Sequence, residues 1–287
     1  GGHFAKFQGF DKDISLAISE HYLPVGIESK TPKKPFSIAL ALTDKIDTLV
    51  GFFGIDHKPT SSKDPYALRR SALGVIRILL ENNKEFKLKD LINYSSNLYQ
   101  EQGFDFSNKT LHKDLINFFI ERLKNYMREK NIRPDIIEAS INSNGINNVV
   151  KVYNKALILN KLINKEIGQT IISCYKRASN ILDHELKNQE LELSDNTDPG
   201  LFKNDFEKNL YKKIHDLRKY FTSVKKDENY ELSLNNLAES KSTLFDFFDN
   251  VMVKDEDKVI QKNRLELLQM LCKTFDNYLN FSNIESS

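Results

Sequence analysis

The sequence predicts an all-α protein, and three observations carry that reading. Apolar residues recur at three-to-four spacing along almost the whole chain, the pattern of amphipathic helices. Glycine and proline are scarce, 11 and 7 in 287 residues, which disfavours turn-rich β architecture and permits long uninterrupted helices. Nowhere is strand-like alternation sustained.

Taken in order, the stripe in the helix from Phe36 is Ala39, Leu42, Ile46, Leu49 and Phe53. The next helix is expected to begin at Asp64-Pro65, a favourable N-cap followed by proline at the first helical position. It runs to about Glu81 and stops at Asn82-Asn83. Further helices are expected over Leu88–Tyr99, Lys109–Glu129, Asp135–Asn142, Ile146–Asn164, Gln169–Asn188, Leu201–Phe221, Leu232–Phe248 and Glu256–Asn280. Two breaks interrupt the pattern: Gln102-Gly103, and Ser194 to Gly200, which is dense in turn formers and has no hydrophobic period. They divide the chain into 1–102, 103–194 and 195–287. No internal repeat or low-complexity tract is present.

Composition narrows the function classes. Basic and acidic residues nearly cancel, 42 against 40, so any contact with nucleic acid must come from local patches. The two cysteines, Cys174 and Cys272, fall inside apolar helical patterns and read as buried, reduced thiols of a cytoplasmic protein. No apolar run approaches the ~20 residues that span a bilayer, and no signal peptide is visible. The start at Gly1-Gly2-His3, without methionine, predicts a piece of a longer polypeptide.

The stretch from Asp44 to Arg70 holds the densest chemistry. Asp44 and Asp47 share one helix face. They read as hydrogen-bond acceptors for Arg69 or Arg70 across a short loop, since nothing nearby completes a metal shell. Arg69 shares its face with Leu73, Ile76 and Leu80 and is expected to be partly buried. Arg70, Gly74 and Arg77 form a stripe at i, i+4, i+7 that reads equally as a shallow phosphate-binding groove or a solvated face. Lys58 and Lys63, with Thr60, Ser61 and Ser62, lie beside the same helix N-terminus, which favours anions.

Three further groups stand out. Lys176, Arg177 and Asn180 belong to a basic edge near Lys151, Lys155, Lys161 and Lys165, open to RNA or simply solvated. Arg264 lies on an apolar stripe, so its charge needs a carboxylate, with Asp246 or Asp249 the expected partner. The six histidines form no pair or cluster at metal-ligand spacing. The run Phe245-Asp-Phe-Phe248 reads as helix-bundle core.

These words resemble the β subunit of the bacterial two-subunit glycyl-tRNA synthetase, over its C-terminal part. The matching segments are Gly2-His-Phe-Ala5, Glu20-His-Tyr-Leu-Pro24, Asp44–Gly54, Lys58–Leu80, Lys176–Leu182, and Phe247–Val253 with Asn263-Arg-Leu265. Lys63–Arg70 is the most specific of them. The resemblance implies an HD-like helical domain over 1–102, a helical body over 103–194, and a DALR-like anticodon-binding domain over 195–287 that starts there or upstream. It implies tRNA(Gly) as the partner RNA, with Lys58, Lys63, Arg70, Arg77, Lys176, Arg177 and Asn180 as candidate contacts. Asp44, Asp47, Arg69 and Arg264 remain as structural ion-pairing residues. It further implies that a separate α subunit carries the ATP, Mg and glycine chemistry, so that no cofactor and no catalytic residue is expected in this stretch. An HD name also raises the alternative of a metal-dependent phosphohydrolase. His3 and Asp44 match two members of such a set, but no His-Asp dipeptide stands between them, so the metal site reads as degenerate.

Overall fold

The computed structural model describes every residue except 142–145, 147, 164, 189–191, 195, 224–229, 277–280 and 285–287. The expected helix ends at Asn142, Asn164 and Asn280 lie outside the described residues. Among the described residues there is no strand; the sole sheet-like pairing is an isolated bridge between Lys87 and Asn148. The chain folds as two compact units. One comprises Gly1–Ile132 with Ser143–Asn154, the other Arg133–Asn142 with Lys155–Ser287.

The first unit is built from α1 (Gly2–Phe7), α2 (Lys12–Glu20), α3 (Pro35–Gly54), α4 (Leu68–Glu81), α5 (Leu88–Glu101) and α6 (Leu111–Glu129). α3 is central, packed by α2, α4, α5 and α6. Its buried face is Ile38, Ala41, Leu42, Ile46, Leu49, Val50 and Phe53. Ala39, expected on that stripe, is exposed. The helix is rotated so that Lys45 falls on the packed side instead, where it is buried.

Lys45 explains a close approach. Its ammonium donates to the carbonyls of His21 (3.4 Å) and Tyr22 (3.1 Å), fixing the chain that leaves α2. Burial lowers its pKa. Its stem crosses α4 at Gly74, where a Cβ would stand 2.8 Å from Lys45 Cε. A glycine lets the lysine pass without having to shift.

α4 begins later than the Asp64-Pro65 signal predicts. Ala67 adopts the left-handed region (φ 54°) and the helix starts at Leu68. Asp64 still caps it, from four residues upstream, by accepting from the backbone N–H groups of Leu68 (2.8 Å) and Arg69 (3.0 Å). The N-cap position is thus Ala67 and not the predicted Asp64, and Pro65 stays outside the helix; the αL step lengthens the turn so that Asp64 reaches the first N–H groups from upstream.

The second unit holds α7 (Pro134–Ser140), the later part of α8 (Val149–Leu162), α9 (Glu166–Asn188), α10 (Asp205–Ser223), α11 (Tyr230–Ala238), α12 (Lys241–Asn250) and α13 (Lys258–Asp276). The single helix expected over Leu232–Phe248 is two, parted at Glu239-Ser240, where the buried Ser240 hydroxyl turns back to the Leu237 carbonyl. α10 starts at Asp205 rather than Leu201, because Asp198-Pro199 first forms a 3₁₀ turn capped by the Asp198 carboxylate.

α13 is buried on almost every side, packed on α9 and α10. Its polar residues therefore need partners, and Gln261, Asn263 and Glu266 each find one in a distant segment, whereas the buried Gln269 Oε1 has none among the described residues. Gln261 donates to Glu185 (2.8 Å). Asn263 exchanges two bonds with the backbone of Asp198 (2.8 and 3.0 Å). Glu266 accepts from the Ser194 backbone (2.9 Å). The two cysteines are free and buried, and burial pushes the Cys272 thiol up to about 12.

Candidate nucleic-acid interface

In the first unit the candidate residues surround the start of α4. Lys63 is exposed in a tight turn in which its own backbone N–H donates to Thr60 Oγ1 (3.2 Å). Arg70 projects from the first turn of α4 and is exposed. Lys58 is solvent-facing too, yet its ammonium sits 2.7 Å from both Asp56 and Asp114. Those bonds, with Thr110 and Asn108, hold the Asp114 carboxyl down to about 2 and raise the pKa of Lys58. Its charge is thus largely neutralised within the protein.

Arg77 corrects the solvent-stripe reading. It is 9% exposed. Its guanidinium donates to the carbonyls of Gly26 (2.8 Å) and Ser29 (2.7 Å) and to Glu81 (2.9 Å). Glu81 in turn accepts from Thr31 (2.8 Å). The segment from Gly26 to Thr31 lies over the C-terminal half of α4, so Arg77 straps a loop to a helix. Gly74 of the same stripe is buried under Lys45.

The expected ion pairs of Asp44 and Asp47 with Arg69 or Arg70 do not form. Asp47 accepts from the Tyr99 hydroxyl (3.2 Å), and Asp44 lies beside Lys45. Arg69 donates instead to the Thr60 carbonyl, closing the loop that precedes α4. The loop was expected to bring these groups to the carboxylates, but the αL turn at Ala67 directs it elsewhere. His21 Nδ1 pairs with the Ile18 carbonyl (2.7 Å) and His3 is exposed. Among the described residues no three histidine, cysteine or acidic side chains gather to hold a metal ion, and the phosphohydrolase alternative finds no support.

A cleft opens between α4, α6 and the segment Pro24–Ile27, with a volume of about 280 Å³. Four arginines line it, Arg69, Arg70, Arg77 and Arg122, against one carboxylate, Glu129. Arg122 was not singled out in the sequence. The only hint was a charge among Phe118, Phe119 and Leu123, a pattern a helical wheel treats as surface.

In the second unit Lys176 is half-buried and Asn180 exposed on α9. Arg177 donates to the Phe248 carbonyl (3.1 Å), lies 3.8 Å from Asp249, and stacks its guanidinium 4.6 Å from the Phe248 ring centroid. It joins α9 to α12 while half its side chain stays exposed. Of the other lysines expected on that edge, Lys155 is buried in the second unit, and Lys151 belongs to the first unit, where it pairs with Glu85 (3.5 Å). Phe247 and Phe248 are core as expected, whereas Phe245 is 40% exposed.

Arg264 is structural, with other partners than expected. Its Nε donates to Glu207 (2.6 Å), and its Nη1 to Asp255 (2.7 Å) and the Met252 carbonyl (2.9 Å). Glu207 also accepts from the backbone N–H groups of Lys203 and Asn204. Asp249, one of the expected partners, serves Arg177.

Two family models fit this sequence. Residues 1–142 match the glycyl-tRNA synthetase beta subunit, and residues 171–286 match the DALR anticodon binding domain. Along almost its whole length the chain is similar to glycyl-tRNA synthetase beta subunits. Among relatives, the glycine–tRNA ligase beta subunit of Rickettsia africae (strain ESF-5) is 37% identical over 284 residues. Those of Clostridioides difficile (strain 630) and Ruegeria sp. (strain TM1040) are 35% and 34% identical. Each alignment covers 99% of this chain and 40% of the relative. The chain thus spans two fifths of the length of these family members. No helix among the described residues is long and apolar enough to cross a membrane.

Proposed function

We propose that this chain is the tRNA-recognition part of a glycyl-tRNA synthetase β subunit. It binds tRNA(Gly) in the cytoplasm and supports the attachment of glycine by a separate α subunit. ATP and Mg are used on that partner, and this stretch contributes no cofactor site and no catalytic residue of its own. The observation that carries the reading is the pairing, in one chain, of a β-subunit match with an anticodon-binding match. Lys63 and Arg70 in the first unit and Lys176, Arg177 and Asn180 in the second are the RNA contacts the exposure pattern favours. Lys58 and Arg77 contribute less, because carboxylates and carbonyls already hold their charges.

Titration of the chain with a tRNA(Gly) transcript across a salt series tests this. Phosphate contacts release counterions, so affinity falls steeply and linearly on a log–log plot. Exchanging the anticodon should weaken binding if the second unit reads it. Equal affinity for tRNA(Gly) and an unrelated duplex of the same length would refute recognition. Formation of glycyl-tRNA by the chain alone would refute the assignment of chemistry to a partner.

A further inference from the structure

The arginine cleft of the first unit contains one donor with no explanation inside the protein. Arg122 Nε is buried and meets no acceptor among the described residues. Unpaired buried donors are uncommon, because the group loses its hydration and gains nothing in return. The rest of the guanidinium lies 5.3 Å from the Phe118 ring centroid and lines the cleft. Burial and the neighbouring Arg69 disfavour its charge; Glu121 and Asp64 offset part of this from a distance, without forming an ion pair with it.

The other cleft arginines sharpen the contrast. Arg77 is satisfied by Glu81 and two carbonyls. Arg69 is bonded to the Thr60 carbonyl, which satisfies a donor without neutralising its charge. Arg70 is exposed at the rim, on the opposite helix from Arg122. Two guanidinium forks on facing helices suit an oxyanion, and a tetrahedral phosphate offers oxygens to both forks at once. Ile27, Leu73 and Tyr126 supply apolar wall beside them. The volume of about 280 Å³ holds several groups the size of a water, each about 30 Å³ in the bulk liquid.

We propose that this cleft is an oxyanion site that clamps one phosphate group between Arg122 of α6 and Arg70 of α4. Resting on the RNA reading above, that group is a phosphodiester of the bound tRNA. Arg122 replaces Arg77 as the inner contact of the site, and Glu129 at the rim limits how much negative charge enters.

The test uses the 287-residue chain. Inorganic phosphate is titrated while the arginine Nε–Hε correlations are followed by NMR, and tRNA binding is measured over a salt series. Variants are R122Q, R122K, R70Q and, as a control at an exposed cation of α6 outside the cleft, K113Q. The expected result is a saturable shift of the Arg122 Nε–Hε signal. R122Q and R70Q each weaken phosphate binding about ten-fold or more, and each lowers the salt slope of tRNA binding by about one. R122K restores little, since it keeps the charge but not the Nε–H. K113Q changes neither. Arg70 is exposed, so R70Q keeps the test decisive if the Arg122 variants unfold. Absence of a saturable shift, or undiminished phosphate affinity in R70Q and R122Q, overturns the site while leaving tRNA binding by the chain intact. Phosphate binding that depends on both arginines, with tRNA affinity unchanged in both variants, overturns the assignment of the phosphate to RNA.

Discussion

Each unit buries one arginine, and the two are satisfied in different ways. Arg77 in the first unit spreads its donors over two loop carbonyls and one half-exposed glutamate, so the chain it holds is a single surface segment. Arg264 in the second unit faces Glu207, which is 1% exposed, and Asp255, and it ties together the starts of α10 and α13. The first is a strap over an otherwise complete helix pair. The second is a charge pair inside the core, where each member exists only because the other does. Position in a basic-looking stripe does not tell such arginines from those that meet a ligand; their partners do.

The largest effect should follow from breaking the inner pair. Arg264→Ala leaves Glu207 buried without its cationic partner, held only by the backbone N–H groups of Lys203 and Asn204, and should cost about 3 kcal/mol or more in urea denaturation. If the loss were below about 1 kcal/mol, the second unit would not depend on its core charge pair and the contrast would disappear.

Arg77→Ala comes next, at about 2–3 kcal/mol from lost charged hydrogen bonds. Its salt slope for tRNA binding should stay near that of the parent chain. A flattened slope with undiminished stability would return Arg77 to the interface.

Gly74→Ala probes the same stripe of that helix, about one turn before Arg77. The added methyl meets Lys45, whose ammonium is held by two carbonyls, so a loss of about 1 kcal/mol is expected. Lys45→Met in the same chain should remove most of that loss, and additive losses would show that the two positions do not share the contact.

The smallest effect concerns Asp114, whose carboxyl is held at about 2 against an ordinary 3.8. A folded value below the unfolded one means the contribution is complete above the unfolded pKa. It drains away as pH falls from about 4 towards 2. Asp114→Asn should flatten the acid limb of the stability curve over that window, by about 1 kcal/mol or less at this partly exposed pair. An unchanged acid limb would show that Lys58 is not bound there and remains available to RNA.

Helix-scale features were legible because they repeat within a few residues. The buried stripe of α3 and the Asp64 cap both follow from local spacing, although the αL turn at Ala67 moved the helix start by three residues. The site was less legible, for a physical reason. Arg70 and Arg77 do lie on one side of α4, as their spacing says. A helical wheel cannot see that residues 26–31, fifty positions earlier, fold over one end of that side and not the other. The same blindness hid the Glu207 partner of Arg264, 57 residues away. Arg122 escaped notice because its significance lies in an acceptor that is missing, and a sequence shows only the groups it has.

The many-sided burial of α13 also bears on the order of assembly during synthesis. Ser194, Asp198, Met252 and Asp255 each bond to a side chain between residues 263 and 266, which leave the ribosome after them. Until those residues emerge, the earlier segments have no template, and their long-range contacts cannot close. The second unit is therefore expected to fold late and in one step, with α9 and α10 waiting exposed for the helix that joins them. A nascent chain arrested before Lys258 should be cut by protease within the second unit while the first already resists it.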